Sequence, residues 1–279
     1  MRILVTGSRG QIGSQIRKIL PDDWELIATD SKTLDITNAD SVESMVAGFQ
    51  PDILINTAGY TNVDKAEDDL EKAFAINATG VLNLARSANQ HGVRMLHLST
   101  DYVFDGTKYT PYTESDYPNP LNIYGKSKLA GEVAALSINP KTLIVRTSGV
   151  VSGASNNFLY SVFTAAKRGE KISVVNDQIC CPTYAADLAA ALITLVRDYP
   201  QRRGLFHYTG GTALSWYDFA RKIVSAAGLD TALVEKIDSA SQTIARPKYS
   251  VLASELDLRL PVTPLDKAIT QSLTALQEQ

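Results

Sequence analysis

The opening residues restrict the fold more than any other stretch. Ile3 to Thr6 form a short apolar run that stops at Gly7-Ser8-Arg9-Gly10-Gln11-Ile12-Gly13. Beyond that turn, Ile12, Ile16, Ile19 and Leu20 recur at helical spacing. An apolar strand that turns through glycine into a helix is the first unit of a doubly wound parallel sheet. Glycine lets the backbone turn tightly and approach a pyrophosphate, and the helix N-terminus supplies N–H donors and a favourable dipole. Gly7, Ser8, Arg9, Gly10, Gln11, Ile12 and Gly13 are therefore candidate dinucleotide contacts.

The same rhythm continues. A second strand, Glu25 to Thr29, ends in Asp30, where this kind of fold places an acid on the adenosine ribose. Asp30 favours NADH over NADPH, but Arg9, Ser31 and Lys32 could still hold a 2′-phosphate, so both cofactors stay open. Asp35 and Ile36 either flank the adenine or serve as a loop residue and its anchor. The third strand, Ile53 to Asn56, runs into the small residues Ala58 and Gly59, which allow close backbone approach to a ligand. Asn77 lies in the next helix, its amide suited to tying strands together or holding a water. A fourth strand, Met95 to Ser99, delivers Thr100 at its carboxyl end, where ligands sit in open parallel sheets. The expected class is α/β, a doubly wound parallel Rossmann-type sheet with a smaller mixed α/β substrate domain. Residues 1–150 and about 176–210 are assigned to the first, 151–175 and 211–279 to the second.

Tyr124 and Lys128 are four residues apart and share one helix face. An ammonium there favours the phenolate and lowers a phenol pKa from its usual ~10, which suits proton exchange near neutral pH. The bulk composition agrees with an enzyme of this size. The hydrophobic fraction of 44% and charged fraction of 20% are those of a folded chain, not a disordered one. A net charge of -3 gives no reason to expect nucleic acid. No apolar run approaches the ~20 residues that span a bilayer. Cys180 and Cys181 are adjacent, a poor disulfide geometry, and they lack metal-site spacing. A reducing, cytoplasmic setting is expected, with both cysteines as core or pocket-wall residues.

Several stretches together carry a resemblance. They are Gly7 to Gly13, Thr61 to Glu67, Ser99 to Gly106, Pro120 to Glu132, Arg146-Thr147-Ser148, Asn156-Asn157-Phe158, Asn176-Asp177-Gln178 and Ala245-Arg246-Pro247. The chain resembles the extended short-chain dehydrogenase/reductase superfamily, and within it the dTDP-4-dehydrorhamnose reductase family. The resemblance implies reduction of a 4-keto sugar nucleotide by NADPH or NADH. It implies Tyr124 as general acid, Lys128 as its partner and ribose anchor, and Thr100 as the hydroxyl that polarises the ketone. Arg246 is expected at the substrate phosphates, with Lys248 as a weaker choice. Asn156, Asn157 and Gln178 are expected as hydrogen-bonding groups in the cleft, and Val63 and Asp101 beside the sugar. His207 is expected to be structural.

Two departures from the family pattern stand out. Gly149 follows Arg146-Thr147-Ser148 where many members have a tryptophan against the sugar. Gln15 stands where some carry a glutamate for a metal-linked dimer, and a neutral amide is a poor ligand for a hard cation. No metal is expected, and the chain is read as a monomer or homodimer acting on a dTDP-sugar, without nucleic-acid or membrane partners. The competing readings are a sugar-nucleotide epimerase or dehydratase, and a non-catalytic cofactor-binding subunit. Dehydratases place Asp-Glu after the threonine, whereas Thr100-Asp101 is followed here by Tyr102.

Overall fold

A computed structural model describes residues 1–154 and 157–278. The chain begins β1 (Arg2–Thr6), α1 (Gln11–Ile19), β2 (Glu25–Thr29), α2 (Ala39–Phe49) and β3 (Ile53–Asn56). Next come α3 (Val63–Asp68), α4 (Leu70–Phe74), a π-helical turn (Ala75–Gly80), α5 (Val81–Gln90), β4 (Arg94–Thr100), α6 (Ile123–Ile138) and β5 (Leu143–Thr147). Then follow β6 (Val150–Val151), α7 (Phe158–Lys167), β7 (Ile172–Val175), β8 (Ile179–Cys180), β9 (Thr183–Tyr184) and α8 (Ala185–Arg197). The last elements are β10 (Gly204–His207), β11 (Leu214–Ser215), α9 (Trp216–Ala226), β12 (Val234–Ile237) and α10 (Leu265–Gln277).

Among the described residues the main sheet has the order β10-β5-β4-β3-β1-β2, with every pairing parallel. Its strands are rich in Val, Ile and Leu because helices cover both faces. Alternation along β1 divides the packing. Ile3 and Val5 join Ile55, Leu96 and Val145 against Ile16 of α1 and Leu188, Leu192 and Leu195 of α8. Leu4 joins Leu54, Met95 and Ile144 against α2, α5 and Ala135 of α6. Each such aliphatic side chain, fully buried, contributes ~1.5–3 kcal/mol. A separate cluster gathers Leu159 and Val162 of α7, Phe219 and Ile223 of α9 and Leu273 of α10. The β7–β12 pair lies beside it.

The register aligns the carboxyl ends of the strands: Thr6 faces Asn56, Asn56 faces His97, and Thr100 faces Thr147. The helix expected through Asn77 differs in detail, because a π-helical turn separates α4 from α5 there. Gly131 of α6 packs so closely on it that a Cβ would stand 2.1 Å from the Asn77 carbonyl oxygen. That approach needs glycine.

Helix α6 is capped by Asn122, whose side chain accepts from the Gly125 N–H. Its rotation is fixed lower down by Glu132, which accepts from Arg146 Nε (2.9 Å) and Nη2 (2.6 Å). Arg146 is 1% exposed and Glu132 2%. Each neutralises a charge that could not stand alone in the core. Replacing Arg146 by Met should lower unfolding stability by ~3–5 kcal/mol in urea titrations, because it strands the Glu132 carboxylate. A loss under ~1 kcal/mol would mean the pair is solvated.

Candidate active site

The turn after β1 forms a backbone cradle. Gly7 has φ +72°, and a Cβ on it would lie 2.6 Å from Ala58 N; one on Gly13 would lie 2.4 Å from the Gly7 carbonyl oxygen. Gly10 opens α1 with no side-chain cap, so the first helical N–H groups are left to an anion. Ser8 is buried, and its N–H donates to Thr29 O (2.9 Å). Ile12 is a core residue. The Gln11 amide oxygen accepts from Ser152 (2.6 Å) and Asn157 (3.1 Å), linking the cradle to the later half of the chain.

Asp30 sits at the end of β2, as expected. One carboxylate oxygen accepts from the Lys32 and Thr33 N–H groups, and the other pairs with Arg9 at 2.5 Å. These contacts, led by the Lys32 N–H, hold its pKa below the usual value. Arg9 is largely exposed beyond it. Asp35 and Ile36 lie in the loop that follows β2. Asp35 accepts from the Thr37 N–H and hydroxyl, while Ile36 is buried against Gly80.

The carboxyl ends of β3 and β4 meet α6. Gly59 is placed so that a Cβ would lie 3.2 Å from Asn77 Oδ1 and 3.9 Å from Lys128 Nζ. Asn77 ties the elements together: it accepts from the Tyr60 N–H and donates to Tyr60 O and Ser127 Oγ. Lys128 is buried and donates to Leu98 O at 2.7 Å. Tyr124 packs edge-on against Tyr102, with ring centroids 5.7 Å apart. Thr100 accepts from the Tyr102 N–H and donates to Asp101.

The electrostatics differ from the expectation drawn from spacing. Burial pushes the Tyr124 phenol up to about 12, the adjacent Thr100 hydroxyl pulling it down and the Asp101 charge pushing it further up. Burial pulls the Lys128 ammonium down to about 8, and Glu132 one turn away counteracts this. Desolvation outweighs the attraction between ammonium and phenolate that the i,i+4 spacing suggested. Lys128 directs its proton to a carbonyl.

The substrate candidates are only partly gathered. Arg246 pairs with Asp64 at 2.5 Å, and Ala245 O accepts from Asn122, which anchors this segment at the start of α6. Lys248 approaches Asp177 at 3.5 Å. Val63 begins α3, next to Asp64. Gln178 is buried and donates to Gln242, so its amide is already engaged. Asn157 caps α7 and bonds Gln11 and Ser152. Asn156 lies outside the described residues. Asp101 is 2% exposed and accepts from three hydroxyls, so it lies behind Thr100 and not at the surface. His207 is a buried strand residue, as expected. Ser148 and Ser127 lie in stretches that carry the resemblance but have no role of their own in it, and Ser250 lies in none of them.

The family model described as the RmlD substrate binding domain matches residues 1–277. The chain belongs to the dTDP-4-dehydrorhamnose reductase family. A member from Aggregatibacter actinomycetemcomitans is 42% identical over 85% of this chain and 81% of that protein. The solved dTDP-4-dehydrorhamnose reductase from Bacillus anthracis, in complex with NADP, superposes with TM-score 0.92 at 36% identity, covering 98% of each chain. The Clostridium acetobutylicum family member gives TM-score 0.94 at 37% identity over 99% of this chain and 100% of that one. Among the described residues no group of three or more His, Cys, Asp or Glu side chains is arranged to hold a metal, and no helix is long and apolar enough to cross a membrane.

The Lys128 environment gives a pH signature. Below about 8 the ammonium is charged in both states, and the folded state carries the cost of burying it. Between about 8 and 10.5 only the unfolded state keeps the proton, so folded stability rises with pH. The stability advantage of Lys128→Met over the wild type should therefore shrink by up to about 3 kcal/mol between pH 7 and 10.5. Urea unfolding across that range checks this; a constant difference would place the ammonium in solvent.

Proposed function

We propose that this chain reduces the 4-keto group of dTDP-4-dehydro-L-rhamnose, or a close 4-keto-6-deoxy sugar nucleotide, in the synthesis of rhamnose for polysaccharide. The observation that carries the reading is the adjacency of the glycine cradle and the Thr100–Tyr124–Lys128 group, joined where Gly59 approaches Lys128. The cradle fits a dinucleotide: at Gly7 and Gly13 a Cβ would strike backbone atoms, and α1 begins without a cap. Gly7 to Gly13 and the ends of β2 and β3 would hold it, with Arg9 available to a 2′-phosphate. When bound, the reduced nicotinamide supplies the hydride.

The chain's own groups manage charge and protons. As negative charge grows on the ketone oxygen, the Tyr124 phenol and the Thr100 hydroxyl stabilise it, and Tyr124 delivers the proton. A phenol held near 12 is fully protonated at neutral pH, ready to give that proton to an alkoxide. Lys128 stabilises the phenolate left behind. Arg246 is freed from Asp64 to meet the substrate's phosphates. The cleft lies between residues 1–150 with 176–210 and residues 151–175 with 211–279, and the setting is the cytoplasm.

Reduced cofactor and enzymatically prepared dTDP-4-dehydro-L-rhamnose should together lose nicotinamide absorbance in the protein's presence. Tyr124→Phe should lower kcat by about 10²–10⁴-fold while leaving cofactor affinity intact. Turnover within a few-fold of wild type would remove Tyr124 from the proton step.

A further inference from the structure

Asp101 is an enclosed carboxylate near the reacting groups that, unlike Glu132, has no cation beside it among the described residues. It follows Thr100 directly and is 2% exposed. One oxygen accepts from Ser148 Oγ (2.7 Å) and Ser250 Oγ (2.6 Å), and the other from Thr100 Oγ1 (3.1 Å). Those hydroxyls come from three remote segments: the end of β4, the turn after β5, and the segment around residue 250. Among the described residues Asp101 has no ion-pair partner. The titratable groups that sense its charge are Tyr102 beside it, Tyr124 on α6, and Cys180 and Cys181 at β8. All four are neutral acids.

A hydroxyl has one proton to give. With Asp101 as a carboxylate, the Thr100 proton is committed to it, while Thr100 Oγ1 accepts from the Tyr102 N–H (3.2 Å). Thr100 then has no proton for a ketone oxygen. With Asp101 as a neutral acid, its own proton can lie on the Thr100 oxygen, and the Thr100 proton is released toward the reacting atom. We propose that Asp101 is a positioning residue that acts in its protonated form and sets the direction of the Thr100 hydroxyl. The inference rests on the reductase reading and deepens it. No group is transferred to or from Asp101 overall; only the polarity of the hydrogen-bond chain is set.

Two physical arguments favour the neutral form. Burial without a cation raises the carboxyl pKa, against the pull of the three hydroxyls. A carboxylate behind Thr100 would also oppose the negative charge that grows on the substrate oxygen. Asn is the matching substitute for the protonated acid. Its oxygen can accept from Ser148 and Ser250, and its amide can donate to Thr100.

The test compares Asp101→Asn and Asp101→Ala in the full-length protein, using NADPH and dTDP-4-dehydro-L-rhamnose. Asp101→Asn should keep at least tenfold more kcat than Asp101→Ala, and the KM for both substrates should stay within about threefold. Any alkaline limb of the wild-type kcat profile that belongs to Asp101 should vanish in Asp101→Asn. Ser250→Ala removes a bond that favours the anion, so it should move that limb to higher pH. Thermal unfolding and NADPH titration confirm that each variant is folded. Asp101→Asn falling as far as Asp101→Ala would overturn the inference, because the anion would then be required. Asp101→Ala with wild-type kcat would overturn it too. If Asp101→Ala does not fold, the Ser250→Ala profile decides, and an unmoved or downward limb refutes the proposal. A wild type that is inert in the same assay refutes the reductase reading itself.

Discussion

One buried ion pair governs where the proposed reacting groups can stand. Arg146 rises from the middle of β5 with its guanidinium fork on Glu132, and its third nitrogen lies 3.5 Å from His207 on β10. The Phe104 ring covers its face, 5.1 Å from the guanidinium carbon. A charge this deep allows little slippage, since leaving either partner unpaired is far costlier than keeping the pair whole. Helix α6 is thus pinned to the sheet. Lys128 and Tyr124, one and two turns before Glu132, inherit their positions from that bond.

The same face of the sheet carries a run of polar side chains across five strands. Thr6 donates to Asn56, and the Asn56 amide meets His97 Nδ1 at 2.9 Å. Further along, Ser99 lies opposite Arg146, and Arg146 opposite His207. Hydrophobic residues would pack this layer more cheaply. Of these side chains Arg146 is the one that bonds α6, through Glu132, while His97 Nε2 and Ser99 Oγ are buried without a partner among the described residues.

Much of this was legible in the sequence, and for physical reasons. Strands β1, β2 and β3 stand where their apolar runs placed them; β1 and β3, inside the sheet, are mostly Val, Ile and Leu because helices cover both faces. Ser215 caps α9, with the Asp218 N–H donating to it, a local pattern of a hydroxyl three residues before an acid. The glycine turn and the Tyr124–Lys128 pair were local patterns and could be read locally. The π-helical turn at Asn77 was not, and the close contact it makes with Gly131 joins residues far apart in sequence. The rise of the Tyr124 phenol and the fall of the Lys128 ammonium do not follow from spacing, because burial is a property of the whole fold. Ser148 and Ser250 meet Asp101 from positions 47 and 149 residues away, and no periodicity announces that.

The segment around residue 250 is held on both sides. Tyr112 N–H donates to Val251 O and Ala253 N–H to Tyr112 O, while Ser250 N–H donates to Ile179 O. It therefore fills a slot between two stretches that precede it by many residues. The Asp101 carboxyl receives its Ser250 partner only after that slot is filled. A residue near the end of the chain thus completes the surroundings of a carboxyl in its first half, so a change in that late segment reaches Asp101 without touching the sheet.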